Sequence, residues 1–563
     1  MSIKKKKWIF LVLVIVTFGR IWLAYGIPLW GTPYAIHDDT LLLNYAKSIL
    51  EGNWLGTYNN LTLTKGVSFS IFLVVSCLTR IPYSILLIIY HILAILIFLY
   101  AIKSLVNNLW IQAGLYVFLL YTPGMMSFSV TQRIYRNALV MPTVLIVFAA
   151  IIAIYLELGK RKPRIGWGIL GGIALVFFWN LREDSVWILP FCIVATAVSL
   201  IKLFVLKKKI KGVLKNTIVV ILPLLLLFGG NALISFCNYQ YYGVYTLNDR
   251  GDTAFADVVS KMLKVEYMTD AEEKDPEVIW CSREKFEYII KQSESLSKIK
   301  KELLDSYDAW SASTGGECPG DIFIWAMRDG ASAAGIYQDA VTAKEFWEDV
   351  DAELQGKIDE HEIQEKKAIY FSFSLRGMTV DEIPQFIQDI GRSSKYMIQY
   401  KTAEVTMDPS EGSWEQLREI EAVTGSYLLY PDNSVQGKQD AYMMIGNYPV
   451  KIANKIINIY QWISPVLTVI VLILYVVLIV VALKAKKKET LWNEVLILTA
   501  LLFSFVVLMA GVTWFTNYLG ASPEWIYYYS TGAIPLLQLF QGLAIWFWLK
   551  ILIEKKYSGG ENE

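Results

Sequence analysis

Long apolar runs separated by short polar stretches dominate both ends of the chain. Runs of about 17–25 residues are long enough to cross a bilayer as helices. One further apolar run, residues 67–78, is shorter, and its crossing is open at this stage. The pattern predicts a polytopic α-helical membrane protein with ten spans, near residues 8–25, 83–102, 109–126, 137–156, 166–181, 185–206, 216–236, 457–483, 491–515 and 525–553.

The first apolar run follows four lysines, which is also the pattern of a secretory signal peptide. No small-x-small cleavage site follows the run, and residues 8–25 are long enough to span the bilayer. The sequence therefore predicts a permanent first membrane helix.

A long polar stretch interrupts the apolar pattern and predicts a soluble α+β insert. Residues 282–310 carry apolar side chains at nearly helical spacing, and residues 321–328 predict the start of another helix. Residues 395–405 and 426–430 fit short strands. The predicted organisation is a transmembrane module over residues 1–236, an extracytoplasmic α+β domain over residues 237–452, and a second transmembrane module over residues 453–563.

The composition is typical of a chain that is in contact with both lipid and water. Hydrophobic residues make up 55% of the chain and charged residues 18%, and the mean hydropathy is +0.41. The whole chain carries +1, but residues 238–450 alone carry about −18, so the remainder carries about +19. An acidic insert is unsuited to binding nucleic acid, so no nucleic-acid partner is expected.

Basic residues near span ends give an orientation, because they accumulate on the cytoplasmic side. If residues 67–78 cross, the clusters at residues 160–164 and 207–209 face outside while the N-terminal lysines face inside. If residues 67–78 do not cross, every cluster faces inside. We adopt the second topology, which predicts cytoplasmic N- and C-termini, a first outer loop over residues 26–82, and an extracytoplasmic insert.

Four basic residues then stand at the outer membrane edge, where the charge rule predicts depletion. Ionisable groups at that depth usually have partners or a task. Arginine grips phosphate through paired hydrogen bonds, so these side chains are candidates for binding a lipid phosphate. The alternative is extension to the interface or local pairing with Glu183 or Asp184. The four residues are Lys65, Arg133, Arg136 and Arg182.

The first outer loop carries His37, Asp38 and Asp39. Adjacent carboxylates can accept a proton, hold a divalent ion or orient sugar hydroxyls. Either carboxylate can instead cap the helix predicted over residues 40–50. Arg20 lies inside the first span, and it could sit beneath this loop or extend to the interface.

These motifs together resemble the GT-C superfamily of membrane glycosyltransferases, especially its protein-mannosyltransferase and aminoarabinose-transferase branch. The resemblance covers roughly residues 1–236. It is carried by residues 36–39, 44–48, 52–56, 64–66, 80–82, 127–137 and 182–184.

The resemblance implies an inverting glycosyltransferase that moves a sugar from a polyprenyl-phosphate or polyprenyl-diphosphate donor to an extracytoplasmic glycan or protein, among membrane lipids. It assigns the role of the loop acid to Asp38 or Asp39. Residues 127–137 contain no second acid, so a divalent metal is not favoured unless Glu183 or Asp184 substitutes. Other expected substrate contacts are His37, Arg20, Glu183 and Asp184.

Two rival functions stay open. A transporter or flippase for lipid-linked sugars would use the same arginines without a base, and it would show inverted repeats and broken helices. A non-enzymatic scaffold would bind a partner through the insert. Within the insert, Cys281 and Cys318 are the two cysteines, and we expect either a disulfide between them or two free thiols.

Overall fold

The computed structural model describes residues 3–158, 163–206, 213–444, 447–485 and 489–559. The described residues that precede the insert form an almost purely helical module. Its helices are α1 (Ile3–Gly26), α2 (Asp39–Leu50), α3 (Ser68–Thr79), α4 (Tyr83–Ala101), α5 (Leu109–Leu120), α6 (Asn137–Glu157), α7 (Ile165–Trp179), α8 (Leu189–Leu206) and α9 (Val213–Tyr242).

The insert and the C-terminal part of the chain are also built from helices. The helices of the insert are α10 (Ala254–Lys264), α11 (Asp270–Lys274), α12 (Arg283–Ile290), α13 (Glu294–Lys298), α14 (Lys300–Ser311), α15 (Ile322–Ala333), α16 (Ala340–Asp359), α17 (Ile383–Ile398), α18 (Trp414–Thr424) and α19 (Val435–Met444). The last four helices are α20 (Tyr448–Lys484), α21 (Glu489–Thr516), α22 (Pro523–Tyr529) and α23 (Ala533–Gly559).

Eight helices in the described residues are long and apolar enough to cross a membrane, so the chain is a polytopic helical membrane protein. They correspond to α1, α4, α6, α8, α9, α20, α21 and α23. The predicted spans at residues 109–126 and 166–181 are the shorter apolar helices α5 and α7, of 12 and 15 residues. Helix α5 ends early because Pro123 holds Thr122 in an extended conformation.

One end of the bundle gathers the long connections, and we call it the loop end. It comprises residues 27–82, 121–136, 180–188 and 517–532 together with the insert. The backbone of Leu29 donates to Tyr427 and that of Trp30 to Gln132, at 2.9 and 2.8 Å. Helix α3 begins and ends at this same end. The backbone N–H of Ser68, at the start of α3, donates to the Asn180 carbonyl. After the end of α3, a backbone N–H at the start of α4 donates to the Ser426 hydroxyl.

Basic residues mark the opposite end. Arg164, just before α7, donates to the Tyr100 hydroxyl near the end of α4 at 2.6 Å, and Lys550 pairs with Glu494 at 2.6 Å. The predicted clusters at residues 160–162, 207–209 and 486–488 lie outside the described residues.

The prediction of an α+β insert is wrong, because no strand forms within the described part of residues 237–452. Residues 395–398 complete α17, and Tyr400 then adopts a positive φ of 48° that ends the helix. Residues 426–430 are extended, but Leu428 makes only an isolated bridge to Leu29. The helical predictions over residues 282–310 and 321–328 are confirmed as α12 to α14 and α15.

The insert is built on two hydrophobic cores. Residues 255–363 bury their own apolar cluster, centred on side chains such as Phe255, Phe286 and Trp347. Residues 397–430 instead add Met397, Leu417 and others to the core of the membrane bundle. The second half of the insert is therefore part of the wall of the bundle.

Of the two alternatives for Cys281 and Cys318, the structure has the free thiols, and both are buried. The Tyr307 hydroxyl donates to the Cys281 carbonyl at 2.9 Å and accepts from the Cys318 backbone N–H at 3.1 Å. This hydroxyl bridges the two backbones through hydrogen bonds, without a bond between the two sulfurs.

The orientation of the bundle is testable at exposed positions on its two ends. Glu51 is exposed at the loop end, and Asn107 is exposed at the opposite end. We expect Glu51→Cys to react with a membrane-impermeant thiol reagent in intact cells, and Asn107→Cys to react only after permeabilisation, each measured against the parent chain. The reverse pattern would invert the topology.

Candidate functional site

Three separate segments of the N-terminal module meet at the loop end around a single group of charges. Residues 64–68 pack directly on the turn after α7, where a Cβ on Gly66 would lie 2.2 Å from the Asn180 carbonyl oxygen. Only glycine permits this approach without displacing the backbone. It sets Lys65 beside the turn that carries Arg182, Glu183 and Asp184.

Asp38 occupies the N-cap position of α2, but its side chain makes no capping hydrogen bond. Its Oδ1 atom accepts from Lys65 Nζ at 2.5 Å and from the Tyr135 hydroxyl at 2.9 Å. The side chain of Lys65 is only 4% exposed, whereas that of Asp38 is 41% exposed. The carboxylate therefore covers a buried ammonium group and faces solvent itself.

Asp39 is held differently from its neighbour. Arg133 grips both carboxylate oxygens, with Nε at 2.9 Å from Oδ1 and Nη2 at 2.5 Å from Oδ2. The guanidinium lies 4.8 Å from the ring centroid of Tyr135 and 5.5 Å from that of Tyr528. With its side chain 8% exposed, Asp39 is a buried structural partner rather than an accessible base.

Two further arginines pair with the turn after α7. Arg136 donates from Nη1 to Glu183 Oε1 at 2.7 Å and from Nε to the Tyr135 hydroxyl at 3.0 Å. Arg182 binds Asp184 through Nε and Nη2 at 2.8 and 2.6 Å. The local pairing of Arg182 with Asp184, left open by the sequence, is therefore present.

The insert contributes a fifth ion pair that the sequence did not point to. Arg250 donates to Asp321 at 2.6 Å, and its guanidinium lies 4.7 Å from the ring centroid of Trp325. The Lys65 ammonium lies 5.8 Å from the same centroid. Arg250 follows α9 in the polar insert, where basic residues are ordinary, so no charge rule marks it.

His37 and Arg20 stand at the margins of the group. The His37 ring packs edge-on against Trp310 and Trp325, with centroids 5.1 and 5.0 Å away. Arg20 is buried and donates to the carbonyl of Leu120, the last residue of α5, and to that of Met125 in the turn after it. Arg20 makes no hydrogen bond to the first outer loop, so it braces α5 rather than lying under Asp38.

The electrostatics of Asp38 follow from this packing. Burial alone would raise its pKa, but the charges of Lys65, Arg136 and Arg133 outweigh burial and hold the pKa of Asp38 well below its usual range. Burial also lowers the pKa of Lys65, against the opposing charge of Asp38. Asp38 is therefore an ionised carboxylate at neutral pH.

The group is balanced in charge, with each of five cations paired to one carboxylate. We call it the paired-charge cluster, and define it as Lys65–Asp38, Arg133–Asp39, Arg136–Glu183, Arg182–Asp184 and Arg250–Asp321. The most exposed side chains in it are three carboxylates, those of Asp38, Glu183 and Asp184, and each of these covers a more buried cation. Accessible carboxylates suit hydroxyl or proton binding, whereas a phosphate can reach these cations only by competing with a carboxylate.

A metal site is not formed by these carboxylates. Within the described residues, no group of three or more His, Cys, Asp or Glu side chains is arranged to hold a metal ion.

Comparisons of the chain with protein families, with curated proteins and with solved structures each found no match. Any assignment of function therefore depends on the paired-charge cluster itself.

The Arg133–Asp39 pair makes a stability prediction. Removing one member of a buried pair leaves an uncompensated charge, which typically costs about 3–5 kcal/mol. We expect Arg133→Met and Asp39→Asn each to lower the free energy of unfolding of the detergent-solubilised protein strongly, and the double variant to recover at least about 1 kcal/mol as coupling.

The matched control is the Lys47–Glu419 pair, which also joins α2 to another segment but has exposed side chains. Its double-mutant cycle should give less than about 1 kcal/mol. A coupling no larger for Arg133 and Asp39 would show that their pairing does not hold the loop end together.

Proposed function

We propose that the chain is an inverting glycosyltransferase that uses a polyprenyl-phosphate-linked sugar and an extracytoplasmic acceptor. The observation that carries the proposal is the environment of Asp38. It is an accessible carboxylate with Oδ1 fixed by Lys65 and Tyr135, while Oδ2 has no hydrogen-bond partner within the described residues. Buried cations surround it at the end of a membrane bundle, where a lipid headgroup lies.

The proposed step is an in-line displacement at the anomeric carbon. The acceptor hydroxyl oxygen forms a bond to that carbon while its proton passes to Asp38. The bond from the anomeric carbon to the phosphate oxygen breaks, and the electron pair leaves with the polyprenyl phosphate. Lys65 and the arginines stabilise the negative charge that grows on the departing phosphate. Attack opposite the leaving group inverts the anomeric configuration.

The balance of the paired-charge cluster favours one rival function. Because every cation in it already has a carboxylate partner, the same arrangement would suit a scaffold in which the cluster only stabilises the loop end. A transporter has less support. Helices α6, α9 and α20 contain Pro142, Pro223 and Pro465, yet each continues as one helix. Unbroken helices do not provide the mid-membrane binding site of a transporter.

The first prediction separates the enzyme from the scaffold. Asparagine has nearly the size of aspartate but cannot accept the proton, and general-base assistance is typically worth about 100- to 10,000-fold. We expect Asp38→Asn to accumulate in membranes but to release polyprenyl phosphate from a panel of lipid-linked sugars at least about 100-fold more slowly than the parent.

Asp308→Asn is the matched control, because Asp308 is similarly exposed and paired with an arginine but lies in the insert outside the paired-charge cluster. Its turnover should stay within a fewfold of the parent. If the parent releases no polyprenyl phosphate from any donor, the scaffold function is preferred. If Asp38→Asn is fully active, Asp38 is not the base.

A second prediction concerns pH. Since Lys65 is the nearest cation that depresses the pKa of Asp38, the parent should keep a flat kcat/KM from about pH 7 down to about pH 5. In Lys65→Met, burial dominates and raises the pKa of Asp38, so the rate should fall as the pH drops within that range. Identical profiles would mean that Asp38 is not the titrating base.

A further inference from the structure

Glu183 stands where cations from three separate segments converge. Its carboxylate accepts one hydrogen bond, from Arg136, and the charges of Lys65 and Arg250 also act on it. Lys65 belongs to the first outer loop, Arg136 precedes α6, and Arg250 comes from the insert. Three cations around one carboxylate form an anion-binding position.

Arg250 has unused capacity in this arrangement. Its Nε atom is buried and has no hydrogen-bond partner within the described residues, although Nη2 binds Asp321. The ring of Trp325 fixes the Arg250 guanidinium at 4.7 Å and the Lys65 ammonium at 5.8 Å. A buried donor without an acceptor is costly, and a phosphate oxygen is a strong acceptor for it.

Glu183 is also the carboxylate that an incoming anion can displace most readily. Asp39 and Asp184 are each gripped through two oxygens by an arginine, and Asp38 holds both Lys65 and Tyr135. Among the described residues, the Glu183 carboxylate has a single hydrogen bond, from Arg136, and 30% of its side chain is exposed. Its departure would break only that one bond.

We infer that Lys65, Arg136 and Arg250 form a phosphate subsite, and that the Glu183 carboxylate competes with the phosphate for it. The inference rests on the proposed function, which supplies a lipid phosphate as substrate. It goes beyond that function by giving the insert a direct part in binding through Arg250. It also gives Glu183 the role of a competitor, rather than of a base or a metal ligand.

The direction in which two substitutions change the affinity for polyprenyl phosphate tests the subsite. Glu183→Gln removes the competing charge while keeping nearly the same shape, so affinity for polyprenyl phosphate should rise roughly tenfold. Arg250→Gln should lower the affinity roughly tenfold, and Arg250→Lys should lower it less. Affinity is measured on the full-length protein in nanodiscs, by titration with polyprenyl phosphate that carries no sugar.

Matched controls share the residue type but lie outside the subsite. Glu419→Gln removes a glutamate paired with Lys47, and Arg283→Gln removes an arginine of the insert paired with Asp308. Both should bind polyprenyl phosphate like the parent. Unchanged or weaker binding in Glu183→Gln overturns the inference, as does unchanged binding in Arg250→Gln.

The source of the phosphate is read from two further titrations, with inorganic pyrophosphate and with phosphatidic acid. Tighter binding of polyprenyl phosphate than of either identifies the polyprenyl headgroup as the ligand, and equal binding of pyrophosphate identifies a soluble phosphate. Binding of none of the three overturns the subsite.

The readout needs no sugar transfer. If the affinities change in the predicted directions while the parent is inactive in sugar transfer, the subsite is supported and only the proposed transferase function is contradicted. Conversely, if sugar transfer is active and both variants bind polyprenyl phosphate with unchanged affinity, only the subsite is contradicted.

Discussion

Buried charge must be paired, and this requirement shapes the whole loop end of the bundle. Arg133, Arg136 and Arg182 lie on or beside short turns between membrane helices, where few water molecules can solvate them. Each carboxylate that meets one of them therefore fixes a chain segment in place. Asp39 ties α2 to the turn before α6, and Glu183 ties that turn to the start of the next helix pair. The first outer loop and the turns are consequently parts of one surface.

The same requirement explains which site residues the sequence could reveal. In the predicted topology, Lys65, Arg133, Arg136 and Arg182 violate the charge rule, and such a violation predicts partners. The structure brings all four together with Asp38, Asp39, Glu183 and Asp184. The rule is local in sequence, so it carries no information about residues in the polar insert. Arg250 and Trp325 were missed for that reason, and only the folded arrangement places them beside Lys65.

Other features could not be predicted because the deciding partner is distant in the chain. For Arg20 the sequence left open a place under the first outer loop or extension to the interface, whereas it donates to carbonyls near the end of α5, about a hundred residues later. Residues 426–430 have the composition of a strand, yet their neighbour Leu29 offers a single bridge and no sheet. The membrane helices were easier to predict, because their length and apolar character depend only on contiguous residues. The two shortest of them end where Pro123 and Asn180 change the backbone direction.

The contribution of residues 397–430 to the core of the bundle bears on how the protein is made. Ser127, before α6, meets Tyr527, in α22, across 400 residues of chain. Translation at about 5–20 residues per second leaves the N-terminal helices without these neighbours for roughly 20–80 s. The packing of the N-terminal helices is therefore completed only after the last helices of the chain have been synthesised.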